Sequence, residues 1–297
     1  MKVHEIECKS PLNLANKNMP FKWELNVYRG CSHKCAYCYA RYSHEYLAGD
    51  FFNDIYVKKN IVEKLEKVLS SSKWKRDVIN IGNVCDSYQH IEEKYKLMPE
   101  ILKLLIRYKT PIVLPTKSKL VLRDIDLIDE LSKVAFTNIN LSINSCDDSI
   151  SKIVEPRAST ISERFHVIQE LKNTNAIVGV YMMPILPFIT DSANQIDEFF
   201  RSVSLSGADY VVSDMLNLRG STKPYYINFI KENFPNLEEK YINLYKNGSI
   251  DKDYKTKIAI LVKNSAKKYG VPLNYNDIIK IKLSEFSYEN GEQLTLF

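Results

Sequence analysis

Short apolar runs alternate with amphipathic segments along most of the chain. The runs are rich in β-branched side chains, which favours buried strands. The amphipathic segments carry apolar residues three or four positions apart, as at Ile61, Leu65 and Leu69, and this spacing is typical of one helix face. The runs predicted as strands are residues 23–28, 77–81, 111–115, 135–143, 176–183 and 208–213.

The amphipathic segments between these strands are predicted as helices. They cover residues 60–69, 96–108, 123–132, 162–172 and 192–204, with a short helix at 39–46 and more helices from Pro224 onward. Strands that alternate with helices of this length imply a parallel sheet with right-handed crossovers. The predicted fold class is α/β: an open or partial TIM-type barrel with a C-terminal helical extension and with active residues at the carboxyl edge of its strands.

The chain divides into four predicted segments that differ in composition. A lead-in at 1–21 precedes the barrel at 22–221, a Tyr- and Lys-rich helical extension at 222–287 and a flexible tail at 288–297. Basic and aromatic residues that interleave, as they do in the extension, suit the backbone of a nucleic acid. An ordinary helical cap on the barrel explains the same composition, so both interpretations stay open.

Charge and cysteine usage narrow the functional classes. The net charge of +5 on 297 residues permits an anionic partner such as DNA without requiring one. Three of the six cysteines are clustered, which favours a reducing compartment over a disulfide scaffold. The first residues lack the apolar core of a signal peptide, and no apolar run reaches the roughly 18 residues of a membrane helix. We therefore expect a cytoplasmic protein with no membrane partner.

Cys31, Cys35 and Cys38 are the strongest chemical signal, in the spacing Cys-x3-Cys-x2-Cys. Three thiolates this close on one loop suit a four-iron cluster and leave one iron free to bind something else. Structural zinc is the rival interpretation, but zinc wants four protein ligands in a closed site. His33 lies between two of the cysteines, so it is badly placed to fold back onto the same ion.

The cysteine loop, with Tyr37 directly before the third cysteine, resembles the radical S-adenosylmethionine (radical SAM) superfamily. The resemblance implies a partial (β/α)6 barrel and a [4Fe-4S] cluster held by Cys31, Cys35 and Cys38, with SAM bound to the free iron. Cleavage of SAM then gives a 5′-deoxyadenosyl radical, which abstracts hydrogen from the substrate. An electron donor such as flavodoxin or ferredoxin is the implied partner.

A narrower resemblance, to the spore photoproduct lyase-like branch of DNA repair enzymes, identifies further residues. The segments that carry it include Thr116-Lys117-Ser118, 122–127, 141–144 and Glu155-Pro156-Arg157. This chain has Cys85 and Ser87 where many relatives have threonine and proline, and the lyase itself has the same Cys-x-Ser. The resemblance implies that Cys85 returns a hydrogen atom to the product radical and that Ser87 contacts SAM. Position alone leaves Cys85 equally compatible with a buried structural cysteine.

The same resemblance suggests the other contacts to SAM. Lys117, after the third barrel strand, is expected to meet the carboxylate of SAM, and Ser142 is expected near its ribose. Tyr37 is expected to pack near the adenine. Arg157 is a candidate for a second carboxylate contact or for a substrate phosphate, and a loop-to-helix salt bridge is the equal alternative.

The chain ends in an apolar peptide, Gln293 to Phe297. It resembles the peptide by which bacterial polymerases and repair proteins bind the replication sliding clamp, and a final strand on the barrel is the alternative. Together with the lyase-like resemblance and the basic extension, this peptide favours DNA as the substrate. The resemblance then implies a lyase-like enzyme of the EC 4.1.99 type that repairs or modifies a base. A peptide, RNA or small-molecule substrate stays open. So do a non-catalytic clamp-binding module with a structural metal and an iron–sulfur redox sensor.

Overall fold

The computed structural model describes residues 1–17, 19, 21–44, 49–273, 275, 278 and 286. The strands of this part are β1 Lys2–Ile6, β2 Leu12–Leu14, β3 Trp23–Leu25, β4 Tyr28–Arg29, β5 Asp54–Lys58, β6 Ile79–Ile81, β7 Ile112–Thr116, β8 Thr137–Ser142, β9 Ile177–Ile185 and β10 Tyr210–Met215. The α-helices are α1 Ile61–Leu69, α2 Glu92–Tyr95, α3 Leu97–Arg107, α4 Ile125–Val134, α5 Asp148–Val154, α6 Ile161–Leu171, α7 Ala193–Ser206, α8 Thr222–Asn233, α9 Glu238–Leu244 and α10 Lys252–Tyr269. Short 3-10 helices cover Tyr39–His44, Lys119–Asp124 and Pro235–Leu237.

In the described part of the chain, seven strands form the main sheet, in the order β10-β9-β8-β7-β6-β3-β2. All neighbours from β3 to β10 are parallel, and β2 pairs antiparallel with β3 at the edge. Parallel strands that follow one another in chain order, with helices between them, form an open barrel. The predicted α/β partial barrel is therefore confirmed.

The first predicted strand, at 23–28, divides between two sheets. β3 joins the barrel, whereas β4 pairs antiparallel with β5 in a second sheet of order β1-β5-β4. Asn26 lies between β3 and β4, and its side-chain oxygen accepts a 3.1 Å hydrogen bond from Val84 N. This bond fixes the chain beside the loop after β6 at the point where it leaves the barrel. The cysteine loop therefore begins from the second sheet.

The sequence does not predict β1, β2 or β5. Most residues of β1 are exposed, so this strand lacks the alternation of apolar and polar positions that marks a half-buried strand. It is held instead by parallel backbone pairing with β5, from Lys2 to Ile6. The lead-in thus contains two strands, one in each sheet.

The barrel strands are covered on both faces. Every residue of β8 is buried, as is typical of parallel strands with helices packed against them. Helix α7 covers the sheet with an apolar face that includes Ile196, Phe199 and Val203. It begins at a capping box between Ser192 and Gln195, and it ends where the following glycine adopts a φ of 79°.

The tyrosines of the C-terminal extension belong to the core. Tyr226, Tyr241 and Tyr245 are fully buried. The hydroxyls of Tyr241 and Tyr245 donate to the carbonyls of Pro187 and Leu216, each at 2.6 Å. The interpretation as a helical cap explains these three tyrosines, and stacking on nucleic-acid bases does not.

Helix α10 packs against α7 on the outside of the barrel. Lys255 and Lys268 pair with Asp214 and Asp197 at 2.7 and 2.8 Å, so part of the positive charge of α10 is neutralised within the protein. None of the helices in the described part of the chain combines the length and the apolar character needed to cross a bilayer.

Candidate active site

A cavity of about 960 Å³ opens at the carboxyl ends of the barrel strands. Its wall includes seven of the residues that the sequence predicts to be functional: Cys31, Cys35, Tyr37, Cys38, Cys85, Lys117 and Ser142. They come from the loop after β4, the loop after β6 and the ends of β7 and β8. The carboxyl edge of the sheet thus brings together residues that are far apart in the sequence.

A glycine and a glutamine fix the start of the cysteine loop. Gly30 has a φ of 80°, and a Cβ there would lie 2.6 Å from the backbone oxygen of Asp54, so the position requires glycine. The buried side chain of Gln89 donates to the Gly30 carbonyl at 3.0 Å and accepts from Ser32 N at 2.8 Å. Because Gln89 follows β6, these two bonds fasten the cysteine loop to the barrel.

The clustered thiols are shielded from solvent. Cys31 and Cys35 are buried, and Cys38 is half-buried. Burial raises the pKa of all three thiols, so without a metal each keeps its proton at neutral pH. Within the described residues, no three His, Cys, Asp or Glu side chains form a group that could hold a single metal ion. Three thiols on one wall suit an iron–sulfur cluster, whose irons compensate for the buried thiolate charge.

Asp86 connects the cysteine loop to the end of β7. Its carboxylate lies 3.0 Å from Nε2 of His33, and it accepts hydrogen bonds from the Thr116 hydroxyl at 2.9 Å and from Lys117 N at 2.7 Å. Burial opposes ionisation, but His33 and the backbone donors outweigh it and lower the pKa of Asp86 to about 2. Asp86 is therefore a carboxylate at neutral pH and fixes the backbone of Lys117. Sequence reasoning missed this role, although Asp86 lies within a segment that carries the family resemblance.

Lys117 and Ser142 stand at the ends of the adjacent strands β7 and β8. Lys117 is half-buried, and its Nζ lies 5.9 Å from the centre of the Tyr37 ring. The carbonyl of Ser142 accepts a 2.9 Å hydrogen bond from Nη1 of Arg164. The wall therefore offers an ammonium and a hydroxyl beside the cysteine loop, groups that complement a carboxylate and a ribose.

Tyr37 fastens the cysteine loop to the segment after β8. Its hydroxyl donates to Glu155, and Nδ2 of Asn144 donates to the same hydroxyl at 3.3 Å. Glu155 in turn pairs with Arg164, and both side chains are fully buried. Sequence reasoning missed Arg164, because a charged residue on a helix is normally exposed.

Cys85 contributes a neutral thiol to the wall. It is buried, and its Sγ donates to the Tyr28 carbonyl at 3.1 Å. Burial raises the pKa of Cys85 to about 12, although the ammonium of Lys58 opposes the rise. Lys58 is itself buried and donates to the Asn26 carbonyl at 2.5 Å. At neutral pH, Cys85 therefore keeps its S–H bond.

The family model of the radical SAM superfamily matches residues 25–200. The chain belongs to the radical SAM superfamily. Members of this family use a [4Fe-4S] cluster and SAM, so the predicted cofactors are confirmed. The three clustered thiols, the ammonium and the hydroxyl on the cavity wall fit these two groups.

The chain is also similar to other proteins in sequence and in structure. An uncharacterised protein from Mycobacterium tuberculosis is 34% identical over 251 residues, which cover 82% of this chain and 74% of the relative. One from Methanocaldococcus jannaschii is 27% identical over 240 residues, which cover 80% and 86%. Spore photoproduct lyase complexed with dinucleoside spore photoproduct superposes with a TM-score of 0.67 and 12% identity over 90% of this chain and 79% of the lyase. This last likeness shows the fold alone.

Two predicted site residues of this radical SAM enzyme lie off the described cavity wall. Ser87 is fully buried behind Gly82, where a Cβ would lie 3.0 Å from its Oγ. Arg157 is exposed, and its Nη1 lies 3.4 Å from Oδ1 of Asn53. The backbone N of Arg157 donates to the His33 carbonyl at 3.3 Å. As placed here, Arg157 supports the cysteine loop through its backbone, whereas the buried Ser87 hydroxyl makes no hydrogen bond among the described residues.

Proposed function

We propose that this radical SAM enzyme acts on DNA, removing a hydrogen atom from a base so that the base is repaired or modified. The observation that carries the proposal is the position of Cys85, a protonated thiol on the same cavity wall as the clustered cysteines. A lyase-like reaction needs a hydrogen donor where the substrate radical forms. Cys85 has the required bond and lies on the wall of this cavity.

Five other residues of the cavity wall have a part in this scheme. Cys31, Cys35 and Cys38 would hold the cluster through their sulfur atoms, while Lys117 would pair with the carboxylate of SAM and Ser142 would contact its ribose. When bound, the cluster and SAM supply a 5′-deoxyadenosyl radical. The contribution of the protein is to bind and orient these groups in a site that excludes water.

Cys85 would complete the reaction by hydrogen-atom transfer. Its S–H bond breaks homolytically, the hydrogen atom passes to the substrate radical, and a C–H bond forms. A sulfur-centred radical remains at Sγ, and one electron from a flavodoxin- or ferredoxin-type donor, with one proton from solvent, restores the thiol. The raised pKa of Cys85 favours this role, because a thiolate has no hydrogen to give.

Two observations support DNA as the substrate class. The structurally similar lyase is described as complexed with a dinucleoside photoproduct, and this chain is basic, with a net charge of +5. A base inside a duplex is out of reach of an enclosed site, so the target would have to be extruded into the cavity. The clamp-binding peptide predicted at Gln293 to Phe297 lies outside the described residues and stays a prediction.

Anaerobic reconstitution tests the radical chemistry. The wild-type protein should bind about four irons and four sulfides per chain, and reduction should cleave SAM to 5′-deoxyadenosine. Cys31→Ala should lose both properties. A single zinc ion per chain with no cleavage of SAM would refute the proposal.

Deuterium incorporation tests the hydrogen donor. In deuterated water the thiol of Cys85 carries deuterium, so wild-type enzyme acting on ultraviolet-irradiated DNA should place deuterium in the product. Cys85→Ala should keep the cluster and SAM cleavage but lose this incorporation. Cys146→Ala is the matched control, because Cys146 is half-buried and lies off the described cavity wall. Equal incorporation by Cys85→Ala and wild type would show that another group donates the hydrogen.

A further inference from the structure

The cavity continues from the cysteine loop into the interior of the barrel. The strand register places Asn80, Val113 and Asn138 at one level of β6, β7 and β8. Ser142 follows Asn138 by four residues on β8, which puts it about 13 Å farther along the strand. We call the inner part of the cavity the lower chamber; its wall includes Asn80, Phe136, Asn138, Tyr181, Tyr210 and Tyr275.

The charged groups of the cavity lie at its other end. Asp86, Lys117, Asp214 and Arg219 are all at or beyond the carboxyl ends of their strands. The described wall of the lower chamber offers amides, hydroxyls and aromatic rings instead. Because an ion without a partner is strongly disfavoured in such surroundings, the lower chamber suits an uncharged group.

Gly179 on β9 leaves the space that the side chains beside the lower chamber need. A Cβ at this position would lie 2.3 Å from Oδ1 of Asn140 and 2.4 Å from Cζ of Tyr210. The glycine leaves space for the Tyr210 hydroxyl, which donates to Asn140 Oδ1 at 2.6 Å and accepts from Asn138 Nδ2 at 2.8 Å. These bonds hold Asn138 and Tyr210 in place before any ligand binds.

Asn80 is a buried amide that faces the lower chamber and has no side-chain partner among the described residues. The strand alternation turns Ile79 and Ile81 away from the barrel interior, and Asn80 lies on the cavity wall. Only 4% of Asn80 is exposed, and within the described residues its side chain makes no hydrogen bond. Buried polar groups are nearly always paired, so an unpaired amide on a cavity wall marks a position that another molecule completes.

We infer that the lower chamber binds an uncharged, planar nitrogen heterocycle, the base on which the proposed function acts; the inference therefore rests on that function. An asparagine amide presents a donor and an acceptor side by side, which matches the adjacent donor and acceptor on the edge of a base. The ring of Tyr181 on the cavity wall provides a face on which a base can stack. Asn80 is then a residue that determines specificity, and phosphates stay outside the lower chamber.

Isothermal titration of the reconstituted, SAM-loaded protein tests the inference. The probes are thymidine, deoxyadenosine, 2-deoxyribose 5-phosphate and N-acetylglycinamide. At least one nucleoside should bind, and Asn80→Leu should weaken its binding roughly fivefold or more, since a bidentate pair is lost. Asn228→Leu is the matched control, because Asn228 is exposed and pairs with Glu232 on its own helix.

Three outcomes of the titration would each overturn the inference. Wild-type protein that binds neither nucleoside would do so, as would a loss of less than fivefold in Asn80→Leu. The third is a sugar phosphate or an acetylated amide that binds as tightly as the nucleosides, which would indicate recognition of a phosphate or of a peptide instead.

The stability of the variant separates a ligand-binding role of Asn80 from a structural one. Leucine replaces an unpaired amide of similar size, so Asn80→Leu should keep or raise the urea midpoint of the ligand-free protein. A lowered midpoint would show that Asn80 supports the fold and would count against the inference. Asn80→Ala, which introduces no bulk, should show the same loss of nucleoside binding.

Cleavage of SAM in the absence of nucleoside reports on the proposed function separately. Asn228→Leu should form 5′-deoxyadenosine at the wild-type rate, because Asn228 is exposed on α8 and lies outside the described cavity wall. If the wild-type protein itself forms none, the proposed function fails, and the nucleoside titration still decides whether the lower chamber binds a base.

Discussion

Glu155 and Arg164 form an ion pair at 2.5 Å in which both side chains are fully buried. Glu155 also accepts a hydrogen bond from Tyr37 on the cysteine loop, and Arg164 donates to the Ser142 carbonyl at the end of β8. The pair thus connects two sides of the cofactor end of the cavity. Because neither charge has access to water, each depends on the other.

Removal of Arg164 alone should destabilise the protein strongly. Arg164→Met leaves the Glu155 carboxylate buried and unpaired, and the expected loss in the free energy of unfolding is about 3–5 kcal/mol, measured in urea. The double variant Arg164→Met/Glu155→Leu removes both charges and should recover much of this loss. Equal losses in the single and double variants would show that the unpaired charge is not the cause.

Gln89→Ala should loosen the cysteine loop. The substitution removes the bonds to Gly30 and Ser32, and each such bond contributes about 1 kcal/mol. Hydrogen exchange of residues 30–38 should be faster than in wild type, and less iron should remain after reconstitution. Gln169→Ala is the control, because Gln169 is exposed on α6. Unchanged exchange in this loop would contradict the assigned role of Gln89.

The pH dependence of the rate at which Cys85 is alkylated should reflect the raised pKa of its thiol. The thiolate is the species that reacts, so with a pKa of about 12 the alkylation rate should rise steadily from pH 7 to pH 10. An ordinary cysteine, with a pKa of about 8.5, approaches its plateau over the same range. Peptide mapping by mass spectrometry after timed alkylation measures both. A plateau for Cys85 near pH 9 would mean that the thiol ionises far more readily than its buried position implies.

Gly179→Ala should disturb the floor of the barrel. The added methyl group meets Tyr210 and Asn140 at distances that require one of them to move, and overpacking of this kind costs about 1–3 kcal/mol. The double variant Gly179→Ala/Tyr210→Leu should lose less stability than the sum of its two single variants, because leucine vacates the contested space. If the losses in stability of the two single variants add up in the double variant, the clash with Tyr210 is not the cause of the loss in Gly179→Ala.

The salt dependence of DNA binding tests the basic extension. Lys252 and Lys263 border an exposed groove on α10. If each lysine neutralises a phosphate, Lys→Gln at either position should reduce the slope of log K against log salt by about 1. Lys103→Gln is the matched control, since Lys103 lies on α3 and pairs with Glu100. Identical slopes for all the variants would remove this support for a DNA substrate.

The barrel strands could be predicted from the sequence because they are buried on both faces and therefore appear as apolar runs. The predicted strand at 176–183 corresponds to β9, Ile177–Ile185, with only small errors at its ends. The second sheet was not open to prediction in this way. Its strand β1 is mostly exposed and depends on backbone pairing with β5, which leaves no pattern in the sequence.

In the candidate site, too, some residues could be predicted from the sequence and others could not. The positions of Lys117 and Ser142 on the cavity wall follow from the rule that parallel strands bring their carboxyl ends together. The roles of Gln89 and Arg164 do not, because each depends on a tertiary contact. Gln89 meets Gly30 across 59 positions of the chain, and burial of a charged helix residue has no local signal. For Ser87, the resemblance predicts a contact with SAM, but the side chain points into the protein, off the described wall.

The cysteine loop begins from β4, a strand of the small second sheet and not of the barrel. Within that sheet β1 is largely exposed, whereas β4 and β5 contribute Tyr28, Ile55 and Val57 to the same buried core as the barrel strands. Segments with little buried surface open at a lower free energy than the core does, and of these three strands only β1 is such a segment. Exposure of the clustered thiols to oxygen therefore requires the core itself to open.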